Sequence, residues 1–268
     1  MSCQEYWDGV ALLWRRRQPQ RLWRRHCDAV HEELLRRWLG GRPAGRVLKT
    51  DLFDEAFGGG LLAALSRRGG VVVGVDVSPR VVEAARARHR GLEAAVADVR
   101  RLPFEDASFD AAVSDSTLDH FDSSADIAAA LGELARVLRP GGRLLLTLDN
   151  PANPLVWLRN RLPLRWLLRA GLVPYRVGAT AGRRRLAALV RGAGLRVAET
   201  AAILHCPRVL AVAAARALQR RPREDLARGF LRLEGAFEAL GRWPSRYLTG
   251  HFVAVAAVKP PAGRSDQT

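Results

Sequence analysis

Cysteine, methionine and lysine are scarce in this chain of 268 residues. The three cysteines, Cys3, Cys27 and Cys206, are odd in number and widely separated, which argues against a disulfide framework and against a zinc site. No apolar run reaches the roughly 18 residues that a membrane span needs, and arginines at 15–17 interrupt any signal-peptide pattern. A reducing, cytoplasmic location and no bound metal are therefore expected.

Acidic residues are also few: the chain has 27 acidic and 43 basic residues, and its formal net charge is +16. Only Lys49 and Lys259 are lysines, so nearly every cation is arginine. With the abundant alanine and glycine, this composition is typical of a GC-rich genome, which weakens a functional interpretation of the charge. Nonspecific attraction to nucleic acid or to an acidic membrane is still expected, although no RNA-binding motif is present.

Strand and helix patterns alternate through most of the chain, which predicts a doubly wound α/β sheet. Two amphipathic helical patterns come first and end near Pro19 and Gly40. Strands are predicted at 46–52, 71–76, 92–97, 109–114, 143–149, 195–203 and 250–258, and helices at 59–68, 79–89, 124–138 and 180–193. Inserts are expected at about 150–178 and 204–248, and a disordered tail at 261–268.

The segment VVVGVDVSPRVVEA (71–84) is the most informative part of the chain. Its valines and glycine suit a strand buried on both faces, and Asp76 follows where that strand ends. A lone carboxylate there points into the crevice where open α/β sheets bind ligands, and it can accept hydrogen bonds from two ribose hydroxyls. The segment therefore predicts a nucleoside site, with an ordinary turn aspartate as the alternative.

Three further segments follow in order. Asp98 comes after the third strand, where its carboxylate suits an adenine amino group. SFDAAVSDSTLDHF (108–121) places Asp115, Ser116 and His120 after the fourth strand. LGELARVLRPGGRLLLTLDN (131–150) predicts a helix, a sharp turn at its proline and paired glycines, and a buried strand.

In this order the phrases VVGVDVSPRVVEAAR, VADVRRLPFEDASFDAAVSD and LARVLRPGGRLLLTLDN resemble the class I S-adenosylmethionine-dependent methyltransferases, especially the branch called methyltransferase type 11. The resemblance covers residues 45–203 and the last strand. It implies a Rossmann-like seven-stranded sheet whose last strand inserts antiparallel, in a domain at 41–260 that follows a helical N-terminal cap at 1–40.

The resemblance also implies roles for matching residues. Asp76 would hold the cofactor ribose, Asp98 with Val99 the adenine, and Asp115 would form the floor near the methionine moiety. The neighbouring residues Val77 and Ser116 are expected cofactor contacts as well.

The first motif departs from the family's pattern. Where the family has a short glycine-rich turn and an acid at the strand end, this chain has VLKTDLFDEAFGGG (47–60), with Lys49 in place of the acid. Amides beside the glycines can still approach a ligand carboxylate, and Asp51, Asp54 or Glu55 would meet the cofactor's positive charge. The expected cofactor contacts in this loop are Thr50, Asp51, Glu55, Gly58 and Gly60. The alternative is a loop that has drifted and no longer binds cofactor.

Methyl transfer from a sulfonium needs in-line positioning and, for a hydroxyl acceptor, removal of a proton. His120 is predicted as the general base, with a structural histidine as the alternative. Trp14, Asn150 and Tyr175 join His120 as expected substrate contacts.

The preferred function is methylation of oxygen or nitrogen on a small, partly hydrophobic metabolite by a monomer or homodimer. An RNA methyltransferase and a cofactor-binding member without transfer activity are the alternatives. The stretch at 154–175 suits a substrate lid or a membrane-surface helix, and the favoured alternative is a basic amphipathic cover packed on the core. The N-terminal helices are expected over the acceptor site, so that deleting residues 1–18 would reduce turnover more than cofactor affinity.

Overall fold

A computed structural model describes residues 2–15, 20–40, 45–170, 172–173, 175–220 and 223–261. Its centre is a seven-stranded sheet in the order β3-β2-β1-β4-β5-β7-β6. Strands β1 to β5 pair in parallel, and β7 pairs antiparallel with both β5 and β6. The predicted doubly wound sheet with an antiparallel last strand is confirmed. The strands are β1 (Arg46–Lys49), β2 (Val71–Asp76), β3 (Glu93–Val96), β4 (Phe109–Asp115), β5 (Leu138–Asp149), β6 (Arg196–Ile203) and β7 (Phe252–Val258).

Twelve α-helices lie among the described residues. They are α1 (Cys3–Arg15), α2 (Arg21–Leu39), α3 (Phe53–Phe57), α4 (Leu62–Ser66), α5 (Pro79–Arg88), α6 (Ser124–Val137), α7 (Pro154–Arg159), α8 (Leu164–Arg169), α9 (Arg183–Gly192), α10 (Arg208–Arg220), α11 (Glu224–Phe237) and α12 (Arg246–Thr249). Short 3₁₀ helices lie at Leu118–His120 and Glu238–Arg242. No helix among these residues is long and apolar enough to cross a membrane. The predicted tail falls outside the described residues apart from Pro261.

The first motif folds differently from the prediction. Instead of one helix at 59–68, two five-residue helices, α3 and α4, flank the glycines. Gly58 has φ 143° and Gly60 has φ 98°, which are values that a right-handed helix does not contain. The predicted strand at 46–52 also ends earlier, at Lys49.

The sheet is covered on both faces. On one face, α6 and α9 contribute Leu131, Leu134 and Leu186 to the largest core cluster. On the other face, α2 packs Leu35 and Trp38 against the strands. Helix α1 instead packs against α3 and α5, above the carboxyl ends of the strands. Within residues 1–40, α2 is therefore a layer of the core and α1 lies over the crevice; the domain boundary at residue 40 stays a prediction.

Candidate active site

A cleft of about 570 Å³ opens where β1, β2, β3 and β4 end. Ligand sites at the carboxyl ends of parallel strands are typical of open α/β sheets. Six of the predicted cofactor contacts line it together with residues that the sequence did not single out. The lining residues are Cys3, Trp7, Thr50, Asp51, Phe53, Asp76, Val77, Ala97, Asp98, Val99, Thr117, His120 and Phe121.

Asp76 ends β2 at the wall of this cleft. One carboxylate oxygen accepts from the Ser78 amide at 2.9 Å and the other from the Leu52 amide at 3.2 Å. Burial and the neighbouring Asp51 carboxylate raise the pKa of Asp76 to about 7. Each carboxylate oxygen has a second lone pair, so both remain able to accept from a ligand hydroxyl.

Asp98 follows β3, the strand next to β2, and also lines the cleft. Its carboxylate is held by Arg100, whose Nη2 donates at 2.6 Å, and Arg100 also pairs with Asp126. Burial opposes ionisation of Asp98, but the bonds from Arg100 outweigh it and lower the pKa. Asp98 is therefore an ionised acceptor in a fixed orientation, and Val99 beside it supplies an apolar wall.

Asp51 follows β1 and lines the cleft. Its Oδ1 accepts from the Phe53 amide at 2.7 Å, which fixes the turn into α3. Burial raises its pKa, although the ammonium of Lys49 opposes the rise. A buried carboxylate in this state gains from a positively charged ligand group, which would keep it ionised. Thr50 is held by a hydroxyl–hydroxyl contact of 3.0 Å with Thr117.

Lys49, which stands where the resembled family has an acid, is buried at the end of β1. Its ammonium lies 3.1 Å from a Glu55 carboxylate oxygen, and both side chains are almost fully buried. Although burial lowers the pKa of Lys49, Glu55 and Asp51 raise it further, so the ammonium stays charged. Glu55 thus serves as the counter-ion of the unusual lysine and does not line the cleft.

Backbone amides of the glycine loop donate hydrogen bonds to carboxylates of the protein itself. Glu55 Oε1 accepts from the Leu61 amide at 2.9 Å, and Asp28 accepts from the Gly60 amide at 3.3 Å. The Gly58 amide bonds to the Asp54 carbonyl. These amides are engaged, so they offer no cradle for a ligand carboxylate. Glu55, Gly58 and Gly60 therefore leave the set of predicted cofactor contacts.

A second cavity of about 920 Å³ adjoins the cleft, and Trp7, Asp51, Phe53 and His120 line both. Its apolar walls are Trp7, Trp23, Phe53, Val173, Tyr175, Val177, Leu204 and Phe252. Its charged or titratable residues are Arg24, Asp28, His31, Asp51, Asp54, Asp115, His120, Asp149, Arg159 and Arg208. Asp115 and Ser116, predicted near the methionine moiety, line this cavity rather than the cleft.

His31 on α2 is a site residue that the sequence analysis missed. Its Nε2 lies 2.9 Å from Asp115 Oδ1, and its Nδ1 donates to the Cys27 carbonyl at 2.8 Å. Burial lowers the pKa of His31, but Asp115 outweighs it and raises the pKa to about 9. The sequence did carry a signal, because His31 shares the i, i+3, i+4, i+7 stripe of Leu34, Leu35 and Trp38.

His120 lies where the two cavities meet. Its Nδ1 is 3.2 Å from the Arg176 carbonyl, which can only accept, so Nδ1 carries the hydrogen. The nitrogen left to accept a proton is Nε2, which is 3.8 Å from Asp119 Oδ1. The other Asp119 oxygen accepts from Ser116 Oγ at 2.9 Å and from the Asp149 amide at 3.0 Å.

Aromatic rings enclose His120. Trp7 is 4.9 Å and Tyr175 is 5.3 Å from the His120 ring, measured between centroids. Trp14 packs at 5.3 Å on Phe53 and does not line either cavity itself. Trp7 lines both the cleft and the second cavity, so α1 covers both.

Asn150 does not face the cavities. Its amide nitrogen donates to the carbonyls of Tyr247 at 2.7 Å and Gly250 at 2.9 Å, and its oxygen accepts from the Ala152 amide. These bonds hold the turn after β5 against the start of β7. The predicted substrate role of Asn150 is therefore replaced by a structural one.

The side chains that line the cleft suit a nucleoside that carries a positively charged group. Carboxylates stand at the ends of β2 and β3, apolar walls lie between them at Val77, Val99 and Phe121, and Asp51 offers negative charge toward the second cavity. The side-chain chemistry therefore agrees with the cofactor that the sequence resemblance implied, although the first motif has changed.

Comparisons with known proteins agree with the fold. Residues 54–146 match the family Methyltransf_11, described as a methyltransferase domain. Demethylmenaquinone methyltransferase of Corynebacterium kroppenstedtii is 35% identical over 144 residues, covering 53% of this chain and 58% of that protein. Probable tRNA methyltransferase 9B of Homo sapiens is 45% identical over 74 residues, which cover 28% of this chain and only 16% of that protein.

A solved structure, geranyl diphosphate C-methyltransferase from Streptomyces coelicolor A3(2) with S-adenosyl-L-homocysteine, superposes with a TM-score of 0.55. It is 18% identical, and the superposition covers 86% of this chain and 78% of that one, so it supports the fold. The family match and this fold confirm the resemblance drawn from the motifs. Residues 54–146 therefore match the Methyltransf_11 methyltransferase domain, and the chain has the fold of class I methyltransferases.

Proposed function

We propose that this protein transfers a methyl group from S-adenosylmethionine to a small molecule with an apolar part, held in the second cavity. The observation that carries this proposal is the continuity of the two cavities, which share Trp7, Asp51, Phe53 and His120. A donor in the cleft and an acceptor in the cavity would meet at these residues, which supplies the positioning that methyl transfer requires.

Different residues of the cleft contact different parts of the cofactor. Asp76 accepts from the ribose hydroxyls, and Asp98 accepts from the adenine amino group beside Val99. Asp51 faces the positively charged end. Arg24, which pairs with Asp54 in the second cavity, is placed to meet a carboxylate, a role that the occupied glycine loop leaves open. When bound, S-adenosylmethionine supplies a methyl group already activated by its sulfonium.

His120 is the proposed base for an acceptor that must lose a proton. Its free nitrogen, Nε2, faces Asp119, and a carboxylate there stabilises the imidazolium that forms when Nε2 takes the proton. The Arg176 carbonyl fixes the tautomer from the other side of the ring. An acceptor hydroxyl or amine is therefore favoured.

The second cavity also indicates the character of the acceptor. The tryptophan and phenylalanine walls supply apolar contact, whereas Arg159 and Arg208 supply positive charge; these walls are Trp7, Trp23, Phe53 and Phe252. Among the described residues, Arg208 forms no ion pair with a carboxylate; its Nη1 lies 2.9 Å from His251 Nε2. This combination favours an apolar molecule with a polar or anionic end.

The surface beside this cavity supports delivery of such an acceptor from an anionic membrane. Between Asp149 and Glu199 the sequence holds ten arginines and no acidic residue. In the same stretch Trp157 is 47% exposed and Trp166 is 61% exposed, among several exposed leucines on α7 and α8. Exposed tryptophan and leucine flanked by arginine is the chemistry of elements that lie in a membrane interface.

Vesicle binding tests this surface. We expect co-sedimentation with phosphatidylglycerol vesicles, weaker binding to phosphatidylcholine, and a loss when Trp157 and Trp166 are both changed to serine. Trp243→Ser is the matched control, since Trp243 is equally exposed on another element. Equal loss in the control, or self-association in place of vesicle binding, would contradict a membrane role.

An RNA acceptor is the second candidate, and the net charge of +16 and the tRNA methyltransferase relative favour it. That relative matches only 74 residues, however. The experiment is transfer of radiolabelled methyl from S-adenosylmethionine to a bacterial extract, divided into RNA and organic-soluble fractions. Label in the organic fraction that survives RNase supports the proposal, and RNase-sensitive label supports RNA.

A further inference from the structure

A buried cluster of His26, Cys206 and Glu234 lies behind the acceptor cavity. The three residues come from α2, from the connection between β6 and α10, and from α11. Each side chain offers one ligand atom, and these atoms all lie within 4.8 Å of one another. The residues are 3%, 4% and 5% exposed, so water is largely excluded from the cluster.

Glu234 is the anomaly in this cluster. Its Oε2 is buried and has no hydrogen-bond partner among the residues that the structure describes. In a chain with 43 arginines and lysines, no arginine or lysine of the described part forms an ion pair with Glu234. A buried carboxylate oxygen without a hydrogen-bond partner is costly, and a cation bound beside Oε2 would supply that partner.

The other ligand atoms surround the same point. Cys206 Sγ lies 3.8 Å from His26 Nε2, which is close to the spacing of two ligands on one tetrahedral ion. Glu238 adds a second carboxylate, because its Oε1 lies 3.7 Å from His26 Nε2. The Glu238 side chain is 23% exposed, so it stands on the side of the cluster that is open to solvent.

We propose that this cluster is a Zn²⁺ site, with His26, Cys206 and Glu234 as three ligands and Glu238 or a water as the fourth. A thiolate, an imidazole and carboxylates form a donor set that suits zinc and excludes magnesium and calcium, which prefer all-oxygen sites. The expectation of no metal came from sequence spacing, yet the fold joins residues that are 180 and 28 positions apart.

The site would act as a structural clamp. Helix α2 also carries Arg24, Asp28 and His31, which line the acceptor cavity. A metal that joins α2 to Cys206 and to α11 would hold that wall against the insert at 204–248. The proposal is independent of the acceptor and of the cofactor, because none of its ligands lines either cavity.

The test is a titration of chelator-treated wild-type protein with Co²⁺, a spectroscopic substitute for Zn²⁺. We expect one Co²⁺ per chain, with tetrahedral absorption bands and a thiolate charge-transfer band that Zn²⁺ abolishes by displacement. Cys206→Ser should remove the charge-transfer band. Cys27→Ser, a change at a buried cysteine of the same apolar cluster, should retain it, and so should Cys3→Ser.

A second measurement needs no variant. Zinc-edge X-ray absorption of the loaded wild-type protein should show one sulfur at about 2.3 Å among nitrogen and oxygen ligands. Absence of stoichiometric metal binding, a shell without sulfur, or a charge-transfer band that Cys27→Ser removes and Cys206→Ser keeps would each overturn the proposal.

Discussion

His31 on α2 lies 2.9 Å from Asp115 at the end of β4, and the two form a buried imidazolium–carboxylate pair under the acceptor cavity. The same Asp115 oxygen, Oδ1, also accepts from Thr147 Oγ1 at 2.7 Å. The pair joins α2, which packs on one face of the sheet, to the end of β4 beside the second cavity. Its partners are 84 residues apart, and no local motif joins them.

Removal of this histidine should destabilise the fold. His31→Gln leaves the Asp115 carboxylate buried without a positive partner, which costs about 3–5 kcal/mol in the free energy of unfolding. Urea unfolding measures the loss. The double variant His31→Gln with Asp115→Asn should recover part of it, because the uncompensated charge is gone. An unchanged free energy in the single variant would show that the pair contributes nothing.

The same pair predicts a pH dependence of stability. The folded-state pKa of His31 is about 9, above its ordinary value near 6.5. The stabilisation is therefore fully present below about pH 6.5, and it is lost as the pH rises through 9. Wild-type protein should lose stability across this window and His31→Gln should not. Parallel pH profiles of the two proteins would argue that His31 is neutral.

Cofactor affinity should depend on pH through Asp76. Its pKa of about 7 means that the carboxylate protonates as the pH falls below neutrality, and a protonated Asp76 no longer accepts two hydroxyl hydrogen bonds. Affinity for S-adenosylhomocysteine should weaken below pH 7 and level off above pH 8. Asp76→Asn should lose most of this dependence, because the titrating carboxylate is gone. Calorimetry that shows equal affinity at pH 5.5 and 8 in wild-type protein would contradict this account.

His120 should matter for turnover. His120→Gln removes the proposed base, and general-base catalysis contributes roughly 10²- to 10⁴-fold. Single-turnover methyl transfer should fall by about that factor, with cofactor affinity changed far less. His89→Gln is the control, because the His89 ring bonds to the Glu55 carbonyl outside both cavities. Equal rates in wild type and His120→Gln would assign His120 a structural role.

Trp7 should affect cofactor binding as well as turnover. The sequence led us to expect that the N-terminal helix would spare cofactor affinity, but Trp7 and Cys3 line the cleft itself. Asp8 on the same helix also hydrogen-bonds to Ser78, next to Asp76 in the chain. Trp7→Ala should weaken both properties, whereas Leu13→Ala, at a 60% exposed position of the same helix, should weaken neither. Loss of turnover alone would restore the original expectation.

The sequence predicted the parts of the molecule that depend on local pattern. The valine run before Asp76 and the acid after β3 each have a periodicity or a motif, and both fall where the sequence predicted them. The predicted turn at 140–142 instead lies within β5, at a shift in its register with β4. The structure of the first motif was harder to predict, because the role of Lys49 depends on its ion pair with Glu55, which the sequence alone does not show. The same limit applies to Gly60, whose amide is occupied by Asp28 from another helix.

Long-range pairings account for the remaining differences. The position of His31 under Asp115 depends on how α2 packs across the sheet, and periodicity does not reveal that contact. Asn150 follows the strand end like a site residue, yet its amide serves the carbonyls at 247 and 250, which only the antiparallel pairing of β5 and β7 brings near. The roles of side chains that contact residues on distant elements could therefore not be predicted from the sequence.

Calorimetric titration with S-adenosylmethionine tests the central claim most directly. We expect one site per chain and an affinity that Asp76→Ala reduces by about 10- to 150-fold, the equivalent of one charged hydrogen bond at about 1.5–3 kcal/mol. Asp106→Ala, at an exposed carboxylate that pairs with Arg136 away from the cleft, should bind as wild type does. No binding to the wild-type protein, or equal affinity in folded Asp76→Ala, would contradict the assignment of this cleft to the cofactor.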